Sequence, residues 1–248
     1  MKVDTQAGFT TARRVNRSLT AAAEKRALEW MAERAPRWVT SDQLTALGLA
    51  AQVGAGVFYA LSRYDRRALL LVILCIILNW LGDSLDGTLA RVRRQQRPRY
   101  GFYVDHVVDI FGATALLTGL SCSGLLHPEI AAAMLIAFLL LSAESYLATY
   151  TLGRFQLSQG AFGPTEIRIL LIAGTLELLR SPYATVFGHR VLLFDLGGAV
   201  AAIVMFGMAI VVAVRHTREL YRQEPLPVNS DTAYPSHSRV IKSEASMR

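Results

Sequence analysis

The sequence predicts an all-α, polytopic integral membrane protein with about six transmembrane helices and an N-terminal amphipathic surface helix. Three observations predict it. Of 248 residues, 52% are hydrophobic, and the mean hydropathy is +0.32. The apolar residues gather in stretches that approach the ~20 residues a bilayer-spanning helix requires. Lys and Arg fall between those stretches and at the chain ends. A net charge of +7 could suggest a nucleic-acid partner, but no basic stripe runs along a solvated face, so none is expected.

Taken in order, residues 1–18 are polar and expected to be loose. Leu19 to Ala35 is a run of good helix formers with Ala23, Ala27, Leu28, Met31 and Ala35 near helical spacing. With Trp30 and Trp38 as interfacial anchors and Lys25, Arg26, Arg34 and Arg37 toward headgroups, it fits a helix lying on the membrane. Pro36 ends it, and Ser41 or Asp42 is expected to cap a first span over Asp42–Ser62. Arg63 to Arg67 turns the chain into a second span, Ala68–Arg91. A third follows over Phe102–Leu125, then a turn at His127-Pro128 and a fourth span over Glu129–Leu152.

A loop containing Gly153, Gly160 and Gly163 leads to a fifth span opening at Pro164, a favourable first-turn position. Its apolar run ends early at Glu177 and Arg180, and Pro182 interrupts it. The sixth covers Val191–Val214, and the Ser-, Pro- and charge-rich tail from Glu224 is expected to be disordered. The chain thus divides into an arm (1–40), a six-helix membrane domain (41–215) and a tail (216–248).

On this topology 21 Lys and Arg lie on the side of both termini and 5 on the other. The positive-inside rule makes the first side cytoplasmic, with a bacterial-type inner membrane as the setting. No cleavable signal segment is visible in the polar, basic first forty residues. Cys75 and Cys122 lie within apolar runs with no metal-type or disulfide spacing, so they are expected to be packing residues.

The unusual feature is a set of carboxylates at the ends of the second and third spans. Asp83, Asp86, Gly87 and Ala90 fall at i, i+3, i+4 and i+7, and Gly101, Asp105 and Asp109 at i, i+4 and i+8. Each set therefore lies on one helical stripe. If the two helices pack antiparallel across the basic linker, the four acids converge in one cleft. Acids beside hydrocarbon mark functional sites, and an oxygen-only cluster suits a hard divalent cation. An ion pathway is the competing interpretation, but these acids cluster toward one end, and Glu144 and Asp195 are isolated. His106 lies on a different face from Asp105 and is expected to be a polar rim residue.

The residues D-x2-D-G-x2-A-R, a nine-residue spacer and G-x3-D-x3-D, filled by Asp83, Asp86, Gly87, Ala90, Arg91, Gly101, Asp105 and Asp109, resemble the signature of the CDP-alcohol phosphotransferase family. The resemblance implies metal-dependent transfer of a substituted phosphoryl group from a CDP-linked donor to a hydroxyl, releasing CMP, in phospholipid synthesis by a homodimer. It assigns two Mg²⁺ or Mn²⁺ ions to Asp83, Asp86, Asp105 and Asp109, CDP binding to Asp83, Gly87, Ala90, Arg91 and Gly101, and the general base to Asp109.

Acceptor-site candidates are Tyr150, Arg154, Glu166 and Arg168, near the same ends of helices four and five. Family members that use alcohol phosphates carry basic residues there. Arg154 and Arg168 fit that role and fit ordinary interfacial arginines equally well. Thr149, Tyr150 and Gly153, then Gly163 to Glu166, with Asp105-His106, resemble the ethanolamine- and cholinephosphotransferase branch, whose acceptor is diacylglycerol. Those proteins are longer, and the present length suits the compact branch that uses CDP-diacylglycerol, which is slightly favoured as donor.

Overall fold

The computed structural model describes residues 21–153, 163–224 and 226. The polar start, Arg154, Gly160 and the tail beyond Leu226 lie outside the described residues. The elements are α1 (Ala21–Arg34), α2 (Ser41–Leu61), α3 (Ala68–Val92), α4 (Pro98–Cys122), α5 (Pro128–Leu152), α6 (Pro164–Leu178), a hairpin of β1 (Tyr183–Val186) and β2 (His189–Leu192), and α7 (Leu193–Gln223). One compact unit runs through Ala213 and a second begins at Val214.

Five helices, α2, α3, α4, α5 and α7, are long and apolar enough to cross a membrane. This makes an all-α polytopic membrane protein with five such spans where the sequence suggested about six. The difference is α6, which has 15 residues, or roughly 22 Å at 1.5 Å per residue. That falls short of a ~30 Å hydrocarbon core. The chain instead forms the unpredicted antiparallel hairpin, with Tyr183 opposite Leu192 and Val186 opposite His189. Phe187 and Gly188 turn it with φ of 49° and 83°. Positive φ at both central positions matches the twist of the flanking strands.

Helix ends also differ. The N-cap of α2 is Thr40, not Ser41 or Asp42. Its side chain accepts from the Gln43 amide while Gln43 Oε1 accepts from the Thr40 amide. This reciprocal box satisfies two otherwise orphan donors. Asp42 pairs instead with Arg97. Helix α4 starts four residues earlier than expected, because Pro98 is a good first-turn residue, so Gly101 lies within it. Cys75 is buried, whereas Cys122 is exposed at the end of α4.

The packing order is set by α2. Both α3 and α4 lie against α2, α1 and α6 lie against α3, and α5 lies against α4. Close approach explains why. A Cβ added at Gly119 of α4 would stand 1.9 Å from the Gly56 carbonyl oxygen of α2, and one at Gly82 of α3 would stand 2.6 Å from the Leu44 carbonyl oxygen. Where lipid removes most of the hydrophobic drive between helices, such backbone contact supplies the dispersion energy that holds them together.

Two apolar clusters fill the ends of the bundle. At the carboxylate end, Leu28 and Ala32 of α1 pack with Leu44, Leu85 and Leu89. At the opposite end, Tyr59, Leu69, Val72, Ile76, Leu126 and Leu178 pack together. Helix α1 is therefore docked on the protein as well as carrying exposed Trp30, with Trp38 exposed in the turn that follows it. Glu24 Oε1 accepts from Trp80 Nε1 (2.9 Å), Ser84 Oγ (3.2 Å) and Thr165 Oγ1 (2.8 Å), tying α1 to α3 and α6. Arg93 donates to the carbonyls of Ala35, Pro36 and Val39, which fixes the bend between α1 and α2.

Candidate active site

The C-terminal half of α3, the start of α4 and the start of α6 bring the signature residues to one end of the bundle. The acids belong to helices that both rest on α2, so their cleft has α2 as its floor and is not a direct α3–α4 seam. Asp83, Asp86, Asp105 and Asp109 are all partly buried. The ionised neighbours that act on Asp109 are, in decreasing order, Asp83, Asp105, Arg168 and Asp86, the arginine opposing the three acids. Four carboxylates and one guanidinium therefore share one electrostatic neighbourhood.

Several of these charges have protein partners. Asp83 Oδ2 accepts from Arg168 Nη2 at 2.6 Å, a pair that joins α3 to the second turn of α6. Arg168 Nε donates to Asn79 Oδ1 at 2.9 Å. Asn79, one turn before Asp83 and 7% exposed, donates in turn to the Gly48 carbonyl (2.9 Å) and Gln52 Oε1 (3.3 Å) on α2. Asp86 Oδ2 accepts from Thr45 Oγ1 at 2.5 Å, and the Asp86 carbonyl accepts from Ser41 Oγ at 3.0 Å. The first turns of α2 thus hold Asp86 as the first turns of α6 hold Asp83.

Beside the acids the helix surfaces are open. A Cβ at Gly101 would meet nothing within 4 Å, and one at Gly87 would meet only the Arg91 guanidinium, at 3.5 Å. Ala90 is partly exposed and Arg91 exposed, its guanidinium donating to Thr88 Oγ1 at 2.8 Å.

The acceptor-site candidates are scattered. Arg168 is in the cluster. Glu166 is buried and caps its own helix by accepting from the Gly163 amide at 2.9 Å. Tyr150 is 90% exposed on α5, and Arg154 lies outside the described residues. One turn before Tyr150, Tyr146 is the α5 aromatic that feels the charges of Asp109 and Asp105. It meets the His106 ring edge-on at 4.7 Å. His106, stacked on Phe102 at 4.1 Å, is part of this aromatic wall. Asn79, Gln52, Thr45 and Tyr146 were not singled out from the sequence. Their only signal was a polar group at helical spacing from an acid or a glycine.

The donor chemistry fits a hard divalent cation, since the acids present carboxylate oxygens alone and the Arg168 guanidinium already stands as a cation on Asp83. As arranged, no group of three His, Cys, Asp or Glu side chains among the described residues could hold a metal ion.

A family model, CDP-alcohol phosphatidyltransferase, matches residues 38–214, well over half of the chain. No match is found among curated proteins. The matched segment contains all eight signature positions and every helix from α2 to the start of the second unit, while α1 precedes it. Open glycine surfaces beside a shared field of carboxylates suit a phosphorylated substrate carried to a membrane helix end, and with the family match they establish that the chain belongs to the CDP-alcohol phosphatidyltransferase family, membrane enzymes that transfer a substituted phosphate group from a CDP-alcohol.

Proposed function

We propose that this enzyme, acting as a homodimer, transfers the phosphatidyl group of CDP-diacylglycerol to the hydroxyl of a polar alcohol at the cytoplasmic face. The observation that carries this reading is the electrostatic grouping of Asp83, Asp86 and Asp105 around Asp109, within a complete family signature. Two Mg²⁺ or Mn²⁺ ions held among those four carboxylates would neutralise and orient the pyrophosphate.

The protein's own groups supply the rest. Asp109 takes the proton of the acceptor hydroxyl as its oxygen forms a bond to the lipid-linked phosphorus. The bond from that phosphorus to the bridging oxygen breaks, and its electron pair leaves on CMP. Gly87, Ala90 and Gly101 leave room for the nucleotide to lie against the helices. Arg91, exposed beside Gly87, supplies charge-assisted hydrogen bonds to phosphate oxygens.

A second reading reverses which substrate is the lipid: a CDP-ethanolamine- or CDP-choline-type donor and a diacylglycerol acceptor. It draws on the Gly163–Glu166 cap at the start of α6 and on His106 beside Asp105 in the aromatic wall. Transport is disfavoured, because Asp195 lies in the first turn of α7 and accepts from both the His127 amide and ring instead of lining a path.

The deciding experiment incubates purified protein with labelled CDP-diacylglycerol or CDP-ethanolamine and a panel of acceptors, with Mn²⁺ or with EDTA. The expected result is CMP and a new phospholipid from CDP-diacylglycerol, lost on chelation. Product from CDP-ethanolamine alone would select the second reading. Full turnover in EDTA would remove the divalent cations from the account.

A further inference from the structure

The Asp83–Arg168 pair is more than an interfacial arginine finding a neighbour. The side chains of Arg168 and Asp83 are 16% and 28% exposed. The guanidinium is gripped at a second point by Asn79 Oδ1, 2.9 Å from Nε. Asn79 has no freedom to turn, because its amide nitrogen is committed to the Gly48 carbonyl and to Gln52 on α2. Three helices therefore hold the cation on Asp83 from a preset acceptor. A polar network with every member satisfied in a low-dielectric site is rigid, and dismantling it has a cost.

We propose that Arg168 is the resident counter-cation of Asp83, which a divalent cation must displace to occupy the carboxylate cluster. This rests on the cation reading above. It accounts for two findings together: carboxylate chemistry suited to a divalent ion, and a spacing in which no three acidic side chains among the described residues could hold one. A guanidinium on Asp83 and a dication that the same carboxylate would help to hold repel each other, so binding of one would oppose the other by a reciprocal coupling. Arg168 is then a positioning residue. It keeps Asp83 compensated while the cleft is without its ions and sets the cation concentration at which the cleft assembles.

The test is Mn²⁺ binding, read by electron paramagnetic resonance or calorimetry on the purified full chain without substrate. Arg168→Gln is expected to bind Mn²⁺ roughly tenfold more tightly than the parent, a typical coupling between competing sites. Its thermal midpoint in EDTA should fall and recover on adding Mn²⁺. Arg168→Lys keeps a charge but cannot reach Asn79 and Asp83 with one planar group, so its affinity should lie between the two. If Arg168→Gln does not accumulate as folded protein, the Lys variant decides. Equal or weaker Mn²⁺ binding by the variants overturns this inference alone. Mn²⁺ bound by neither parent nor variant overturns it together with the cation reading.

Discussion

At the scale of residues, the sharpest division of labour is between Asp109 and the groups around it. Arg168 holds Asp83 and Thr45 holds Asp86, whereas Asp109 feels the charge of all three other acids. A carboxylate in that setting serves better as a proton acceptor than as a fixed strut. Asp109→Asn keeps the size and one oxygen but cannot take the proton. It is expected to lower the rate of CMP release by roughly 10²–10⁴-fold, the usual contribution of a general base, while nucleotide binding measured by calorimetry stays near that of the parent. Undiminished turnover by the variant would remove Asp109 from that role. The eight signature residues were legible because their spacing is local: i, i+3, i+4, i+7 and i+8 within α3, and i, i+4 and i+8 within α4. Thr45 and Arg168 reach Asp86 and Asp83 across 41 and 85 residues of chain, and no local pattern reports such contacts. Asn79 was the nearest to readable, as a lone amide in an apolar run one turn before Asp83.

At the scale of elements, α2 carries none of the signature yet decides where it lies. Its stripe of Gly48, Gln52 and Gly56 at i, i+4 and i+8 faces α3 through Gly82 and α4 through Gly112 and Gly119. The expectation of two neighbouring helices meeting across a short linker overlooked a preceding helix able to lie beneath both. Glycines in an apolar run show that some backbone comes close without naming which. Gly119→Ala puts a methyl into the Gly56 carbonyl at 1.9 Å, and a carbonyl cannot rotate away as a side chain can. It is expected to destabilise the protein by about 1–3 kcal/mol through overpacking, seen as a lowered thermal midpoint in detergent. Gly207→Ala on α7, with nothing within 4 Å, is the matched control and should leave the midpoint unchanged. The shortness of the fifth expected span, α6, has a different cause. Leu178 ends α6 with its carbonyl capped by Arg66 from the α2–α3 turn at 2.8 Å, so a tertiary partner stops the helix before length alone would. The strand-forming run from Tyr183 to Leu192 then closes as a hairpin, where the sequence had offered only the interruption at Pro182 and a sixth span from Val191.

At the scale of the whole molecule, the two ends of the bundle are chemically different. One end holds the acids, the α3–α4 linker with Arg93, Arg94, Arg97 and Arg99, and the docked α1. The other holds the α2–α3 and α4–α5 turns, the Tyr59 cluster and the His127–Asp195 pair. An excess of Lys and Arg at one end orients a membrane protein with that end inside. A water-soluble product such as CMP also has reason to be released where nucleotides are recycled. The orientation can be read with two single-cysteine proteins built on a Cys75→Ser, Cys122→Ser background. Gln96→Cys lies exposed in the basic linker, and Glu129→Cys lies exposed in the first turn of α5 at the opposite end. A membrane-impermeant maleimide added to intact cells or right-side-out vesicles should label Glu129→Cys at once and Gln96→Cys only after permeabilisation. The reverse pattern would place the carboxylate cluster outside. That outcome would overturn the cytoplasmic active site proposed above.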